Sequence, residues 1–273
     1  MKGHNDMQVV ILAGGQKSMI SRDANIPKPM LDLGGKPLLW HIMKRFSELG
    51  YNDFIICGGY KVDMIKEYFK DFYIYQSDIT VDLKNNEITV HKKRTEDWNV
   101  TVVDTGLETA TGKRIDKIEQ YIDGQDFFVA FGDCLSDIDY NDMESSYRAK
   151  GKTAMVAVAH PTGRNIPFVL GREGEVLGKT DEKTDLFSEV KDDDSDNDVW
   201  TNACCYILNK KVFDILGEDH SLEEMLVKNL TKDGSLVTYK HNGFWSPVET
   251  LYDKVEMEKL WSDNKAPWMR VDR

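Results

Sequence analysis

The stretch VVILAGGQKSMISRDANIPKPMLDLGGKPLLWHIM, Val9 to Met43, decides the fold. Val9-Val10-Ile11-Leu12 is a short continuous apolar run rich in β-branched residues, which reads as a buried strand. Ala13-Gly14-Gly15 lets the backbone turn sharply behind it and approach a ligand that side chains would exclude. Backbone N–H groups in such a turn converge on an anion, and a polyphosphate is the natural guest. Lys28 stands between Pro27 and Pro29, which stiffen the chain and deliver its ammonium to one place at little entropic cost. The loop has neither the Gly-Lys-Ser/Thr ending of a P-loop nor the three-glycine dinucleotide fingerprint. On residues alone a plain strand-to-helix turn therefore stays open.

Working outward, Leu38 to Leu49 repeats apolar residues at helical spacing up to Gly50, and Asp53 to Cys57 is a second apolar strand. Lys61 to Phe69 reads as a helix. This βαβα order implies a Rossmann-like, mostly parallel sheet flanked by helices. From Ile79 to Val103 the pattern alternates instead, which predicts an inserted antiparallel β flap over about 79–103. Lys113 to Tyr121 reads as helix, and Asp126 to Phe131, Thr153 to Ala159, Phe168 to Leu170, Glu175 to Leu177, Val199 to Leu208 and Leu236 to Tyr239 read as strands. Ser221 caps a helix to about Leu230. An amphipathic helix from Thr250 to Trp261 begins a C-terminal helical appendage over about 250–273. Without repeats or a Pro/Ser-rich linker, residues 1–273 read as one domain, and the acidic run Glu189 to Asp198 as a solvated loop.

Composition narrows the function. A formal charge of −12 over 273 residues disfavours a broad nucleic-acid face. A polyanionic small substrate needs a local basic cluster, and Lys17, Arg22, Lys28 and Lys36 supply one. No segment approaches the ~20 apolar residues of a membrane span and MKGHND carries no apolar signal region, so a cytoplasmic protein without a membrane partner is expected. The four cysteines, Cys57, Cys134, Cys204 and Cys205, lack metal-ligand spacing and read as small buried hydrophobes.

Asp133 follows an apolar strand and Gly132, which puts it at the carboxyl end of a central strand, where open α/β sheets place ligands. A carboxylate opposite the glycine loop can hold a divalent cation against phosphates, though it can equally cap the next helix. Glu249, after the turn Gly243-Phe244-Trp245-Ser246-Pro247, is a candidate second ligand. It lies four residues before Asp253 and also fits a plain surface charge beside Lys254.

These segments resemble the sugar-phosphate nucleotidyltransferases, closest to the branch that makes CDP-sugars. The carriers are VVILAGG (Val9 to Gly15), PKPMLDLGGKPLLWHIMK (Pro27 to Lys44), DFIICGGYK (Asp53 to Lys61), IKEYF (Ile65 to Phe69), WNVTVVDTG (Trp98 to Gly106) and FGD (Phe131 to Asp133). GFWSPVETLYDKVEMEKLW, ending at Trp261, and KAPW (Lys265 to Trp268) extend the likeness to nearly the whole chain. The resemblance implies transfer of a cytidylyl group from CTP to glucose 1-phosphate, giving CDP-glucose and pyrophosphate with Mg2+ and no covalent enzyme intermediate. It implies that Leu12, Ala13, Gly14, Gly15 and Gly132 line the nucleotide, that Lys28 touches its phosphates, and that Thr105 and Gly106 lie near base or ribose. Asp133 and Glu249 would hold the metal, Glu249 standing where the family has Asp. Lys17 would join Lys28 and Asp133 in catalysis, and Arg164, Lys183 and Asn202 would face the acceptor. A homo-oligomer is expected.

The departures from the family pattern are specific. Met19 replaces the loop arginine that would grip pyrophosphate, a loss on the order of 2–4 kcal/mol of transition-state stabilisation unless Lys17 or Arg22 substitutes. Asn165 and Ile166 replace a phenylalanine and a glycine, Asn202-Ala203-Cys204 replaces Asn-Gly-Gly, and Glu182-Lys183-Thr184 only loosely matches Glu-Lys-Pro. A different phosphorylated acceptor, or a nucleotide-binding protein with impaired turnover, stays open at this point.

Overall fold

Strand β1 (Val9–Ala13) is buried at all five residues because it lies between two parallel neighbours with helices over both faces. The computed structural model describes residues 7–15, 20, 25–92, 95–160, 167–170, 174–179, 200–216 and 220–269. After β1 come a short ladder of β2 (Asp32–Leu33) and β3 (Lys36–Pro37), helix α1 (Leu38–Glu48), β4 (Asp53–Gly58), α2 (Val62–Lys70) and α3 (Phe72–Tyr75). A hairpin of β5 (Asp78–Asp82) and β6 (Glu87–Lys92) leads to β7 (Asn99–Asp104), α4 (Thr111–Asp116), β8 (Asp126–Phe131), β9 (Cys134–Ser136) and α5 (Tyr140–Lys150). The remainder is β10 (Ala154–Ala159), β11 (Pro167–Leu170), β12 (Val176–Lys179), β13 (Trp200–Asn209), α6 (Leu222–Leu230), β14 (Leu236–His241), β15 (Trp245–Pro247) and α7 (Leu251–Ser262).

The main sheet has nine strands, in the order β12-β11-β13-β8-β1-β4-β7 with β10 and β14 beyond β13. The ladders run β1, β4, β7, β8, β10, β11 and β14 in one direction and β13 and β12 in the other, so the sheet is mostly parallel. Val9, Ile11 and Ala13 pack on one side with Leu39, Met43 and Phe46 of α1. Val10 and Leu12 pack on the other with Ile115 of α4 and Leu222 and Leu226 of α6. At about 25 cal/mol per Å² of apolar surface, these two faces supply the main driving force for folding.

The structure corrects the extent of the flap. Only β5 and β6 form the antiparallel hairpin, with Ile79 opposite Val90 and Val81 opposite Ile88. The third alternating segment is β7, which pairs parallel with β4 at the edge of the main sheet. An edge strand is half-exposed, and its pattern alternates as a hairpin strand does. The helix read over Lys113 to Tyr121 divides into α4 and a separate 3-10 turn, Glu119–Tyr121.

Helix α7 has the expected span, with Thr250 and Asp253 closing a capping box, but it is less amphipathic than its sequence suggests. Leu251, Tyr252 and Val255 are exposed, and Met257 is its buried residue. The segment after it is tightly anchored. Trp268 is fully buried and its Nε1–H donates to His41 Nδ1 at 3.3 Å. His41 Nε2, at 2.9 Å, faces the Leu33 carbonyl, and Trp261 stacks edge-on at 4.7 Å. Burial lowers the His41 pKa to about 4, so the ring is neutral at pH 7. Among the described residues no helix is long and apolar enough to cross a membrane. The acidic run Glu189 to Asp198 lies outside the described residues.

Candidate active site

From β1 the chain moves to β4 and β7 on one side of the sheet and to β8 on the other, so the carboxyl ends of β1 and β8 flank a topological switch point. Open α/β sheets bind ligands at such a crevice. A cleft of about 470 Å³ lies there, between the loop after β1, the turn at Lys28, the segment Leu107 to Thr111 and the end of β8. Leu12, Ala13, Gly14, Gly15, Lys28, Gly132 and Asp133 all line it.

Gly132 explains how the two strand ends close. Its N–H donates to the Leu12 carbonyl at 2.9 Å, and a Cβ there would meet Pro29 Cγ at 3.0 Å. Pro29 is buried in the 3-10 turn Lys28–Met30, so the prolines hold Lys28 as their positions implied. Lys28 Nζ reaches Asp133 Oδ2 at 2.8 Å. Burial works to lower the Lys28 pKa, but the Asp133 carboxylate, helped by Glu249, outweighs it and raises the value above the ordinary one. The cleft therefore carries a fixed cation beside a carboxylate.

Asp133 is fixed from its far side as well. Its carbonyl accepts the Val248 N–H at 2.8 Å, and β9 pairs with β15 so that Cys134 stands opposite Pro247. This brings the exposed Glu249 to the same corner, close enough to act on the Lys28 charge. Asp253 is occupied elsewhere, accepting the N–H groups of Glu249 at 3.0 Å and Thr250 at 2.7 Å. The oxygen donors of Asp133 and Glu249 suit a hard divalent cation, while no cluster of three or more metal-ligating side chains occurs among the described residues.

Arg114 and the segment Leu107 to Thr111 also line the cleft, and the strand and glycine patterns missed them. Arg114 is 3% exposed, and its Nη1 donates to Thr105 Oγ1 at 2.7 Å and to the Gly106 carbonyl at 2.6 Å. Its Nη2 donates to the Leu107 carbonyl at 3.1 Å. A Cβ on Gly14 would fall 2.2 Å from Arg114 Nη1, so the loop glycine is needed for this guanidinium to pack beneath the loop. Thr105, fully buried, and Gly106 form the platform under the cleft, below the residues that line it.

The wall around Asn202, which the resemblance assigns to the acceptor, is built differently. Between Val156 and Val158 the β10–β13 register shifts, and Ala203, Cys204 and Cys205 stand against the single residue Ala157. Cys204 has φ +60°, the left-handed region that favours glycine. Asn202 holds the bulge, its Oδ1 accepting the Cys204 N–H at 2.8 Å and its Nδ2 donating to Glu223 at 2.7 Å and to the Tyr206 hydroxyl. Cys57 and Cys205 are buried as read from the sequence, but Cys134 and Cys204 are half-buried at this site. The Cys134 thiol donates to Asp133 Oδ1 at 3.6 Å, and the neighbouring Cys204 side chain, burial and the Asp133 charge push the Cys134 pKa well up. Lys36 is turned away from the cleft, donating to Gln76 at 2.6 Å over the Trp40 ring. Lys17, Met19, Arg22, Arg164, Asn165, Ile166, Glu182, Lys183 and Thr184 lie outside the described residues.

Comparison with known proteins agrees with this geometry. The family model described as Nucleotidyl transferase matches residues 8–263. The chain is 38% identical over 265 residues to the Glucose-1-phosphate cytidylyltransferase of Salmonella typhimurium, covering 96% of this chain and 98% of that enzyme. In solved structures the fold matches HddC from Yersinia pseudotuberculosis, with TM-score 0.70 at 21% identity over 93% of this chain and 99% of that one. It also matches the inositol-1-phosphate CTP transferase from T. maritima, with TM-score 0.68 at 16% identity over 100% of both chains. With a glycine loop lining the cleft, a paired lysine and carboxylate at the switch point, and a family match across almost its whole length, the chain belongs to the nucleotidyl transferases.

Proposed function

We propose that the protein transfers a cytidylyl group from CTP to glucose 1-phosphate, releasing pyrophosphate and forming CDP-glucose. The observation that carries this reading is the 38% identity to the Salmonella typhimurium enzyme over 96% of the chain. The cleft between Gly14, Lys28 and Asp133 supplies the matching geometry.

In this reading the acceptor phosphate oxygen attacks the α-phosphorus of CTP and pyrophosphate leaves. The loop Leu12 to Gly15 and Gly132 line the nucleotide, and Lys28 neutralises charge that builds on the phosphoryl oxygens. Rate then comes from positioning and electrostatic stabilisation. Asp133 and Glu249 would hold Mg2+, which when bound neutralises the phosphates. Arg114 fixes the floor on which the nucleoside rests, through Thr105 and Gly106. Lys17 and Arg22 are the cations available to steady pyrophosphate where Met19 cannot, and Arg164, Lys183 and Asn202 form the acceptor side. The apolar face of the β5–β6 hairpin, with Ile79 38% and Ile88 53% exposed, supports assembly as a homo-oligomer. The reaction belongs in the cytoplasm, where CTP is available.

A magnesium-dependent pyrophosphate-release assay with CTP and glucose 1-phosphate tests the reading. Release that stops on chelation is expected. Silence at high enzyme concentration would overturn it. The left-handed Cys204 on the acceptor side favours one second reading, the same chemistry on another phosphorylated acceptor.

A further inference from the structure

We propose that Lys61 is a positioning residue for Lys28: with Tyr60 it clamps Asn25, and through the stiff segment Ile26 to Pro29 that clamp sets the Lys28 ammonium against Asp133. The inference rests on the transfer reading above for its kinetic effect, and it adds to the same site a residue that lies outside the cleft.

Lys61 stands where local structure disfavours it. Among the described residues five non-glycine residues have positive φ, and three of them are asparagines, a residue type that tolerates this region. Lys61, at φ +51° and ψ +40°, has no such excuse. It is also the N-cap of α2, where it makes no side-chain capping bond and places an ammonium beside the positive end of the helix. A glycine or a short polar acceptor would suit both demands better. A residue that breaks two local rules points to a contact elsewhere.

That contact is Asn25. The Lys61 Nζ donates to the Asn25 carbonyl, and the Tyr60 hydroxyl donates to Asn25 Oδ1 at 3.4 Å. The ammonium lies 5.8 Å from the centre of the Tyr60 ring, so the two side chains support each other. Asn25 has φ +52°, which places both partners of the bond in the left-handed region.

The clamp is rooted in the cleft at one end and in Lys28 at the other. Gly59, two residues before Lys61, is packed so closely that a Cβ there would fall 2.8 Å from the Gly14 carbonyl, the Gly106 carbonyl and Arg114 Nη1. The turn is therefore seated against the glycine loop. On the other side Asn25 leads into Ile26-Pro27-Lys28-Pro29. Pro27, at φ −68° and ψ 145°, restricts Ile26 before it and opens the 3-10 turn that carries Lys28. In that turn the Met30 N–H donates to the Pro27 carbonyl at 2.9 Å and the Leu31 N–H to the Lys28 carbonyl at 3.0 Å. Few soft dihedrals separate Asn25 from Lys28, so fixing one limits the other. Lys28 Nζ then meets Asp133 Oδ2 at 2.8 Å.

Without the Lys61 donor, Asn25 loses its tether and the Lys28 turn gains freedom. A misplacement near 1 Å costs about 100-fold in rate even when it begins away from the chemistry. Pro29 stays buried, so the turn is loosened rather than lost, and a fall of about 10-fold is expected.

The test compares Lys61→Met, Lys61→Gly and Lys61→Arg in the full chain. Methionine keeps the stem without the donor, glycine also accepts the φ of +51°, and arginine restores a donor. The Met and Gly variants should each lower kcat about 10-fold with KM for glucose 1-phosphate unchanged, and the Arg variant should stay within about threefold of the parent. Neither loss should lower the melting temperature by more than about 2 °C. In a Lys28→Met background Lys61→Met should change kcat by less than about twofold, because it acts through Lys28. Hydrogen–deuterium exchange at the Met30 and Leu31 amides should quicken about 10-fold in the Met and Gly variants and keep the parent rate in the Arg variant. Unchanged exchange, an unchanged kcat, a kcat loss that persists in the Lys28→Met background, or an Arg variant as impaired as Met would each overturn the proposal. Exchange needs no turnover, so a parent chain that transfers nothing defeats the functional reading separately, and the exchange rates still decide whether the clamp holds the turn.

Discussion

The switch-point cleft and the β13 bulge are made of different materials. The cleft, proposed to take the nucleotide, rests on the parallel ends of β1 and β8, two glycine turns and a buried arginine whose donors are fixed on Thr105, Gly106 and Leu107. The region proposed to face the acceptor is a bulged antiparallel strand with a cysteine in the left-handed region. Binding a triphosphate is common to many such enzymes and is built from backbone and sheet geometry. On the proposed function, choosing the acceptor falls to side chains on a bulge, where one substitution changes the shape of the wall without disturbing the sheet.

The contrast is broken most severely at the shared corner. Asp133→Asn removes the carboxylate that faces both Lys28 and the proposed metal, and we expect transfer to fall about 1,000-fold or more, measured as kcat with saturating CTP. Lys28→Met should cost about 100- to 1,000-fold. The double variant should lose far less than the product of the two, since the residues act as one unit.

The next effect sharpens the comparison within one loop. Gly14→Ala drives a Cβ to 2.2 Å from the Arg114 guanidinium and should cost about 1–3 kcal/mol of stability and weaken CTP binding. Gly15→Ala meets nothing within 4 Å and should leave the melting temperature nearly unchanged. Thermal unfolding of the two variants side by side checks this.

A smaller effect probes the support beneath the nucleotide side. His41 titrates near 6.5 when unfolded and at about 4 when folded, because burial disfavours its charged form. As pH falls through that window the unfolded chain takes up a proton that the folded chain refuses, so stability declines between pH 6.5 and 4 by about 3 kcal/mol in all. Chemical denaturation across that range should show the slope, and His41→Gln should flatten it.

The sequence made one side of the cleft far more legible than the other. β1 and β8 announce themselves as short apolar runs ending in glycine, and a sheet buried on both faces admits few alternatives to parallel packing there. Lys28 between two prolines likewise has little freedom to be elsewhere. β7 was misread as flap because an edge strand alternates like a hairpin, and only its partner β4 reveals the difference. Arg114 had no local signature, since its role arises from carbonyls brought together by the ends of β4 and β7.

The most direct test of the central reading is the identity of the product made from CTP across a panel of phosphorylated sugars, polyols and other small phosphates, with kcat/KM measured for each. We expect CDP-glucose from glucose 1-phosphate with the highest kcat/KM of the panel. A tenfold or greater preference for another acceptor, or no cytidylyl product from any of them, would contradict it.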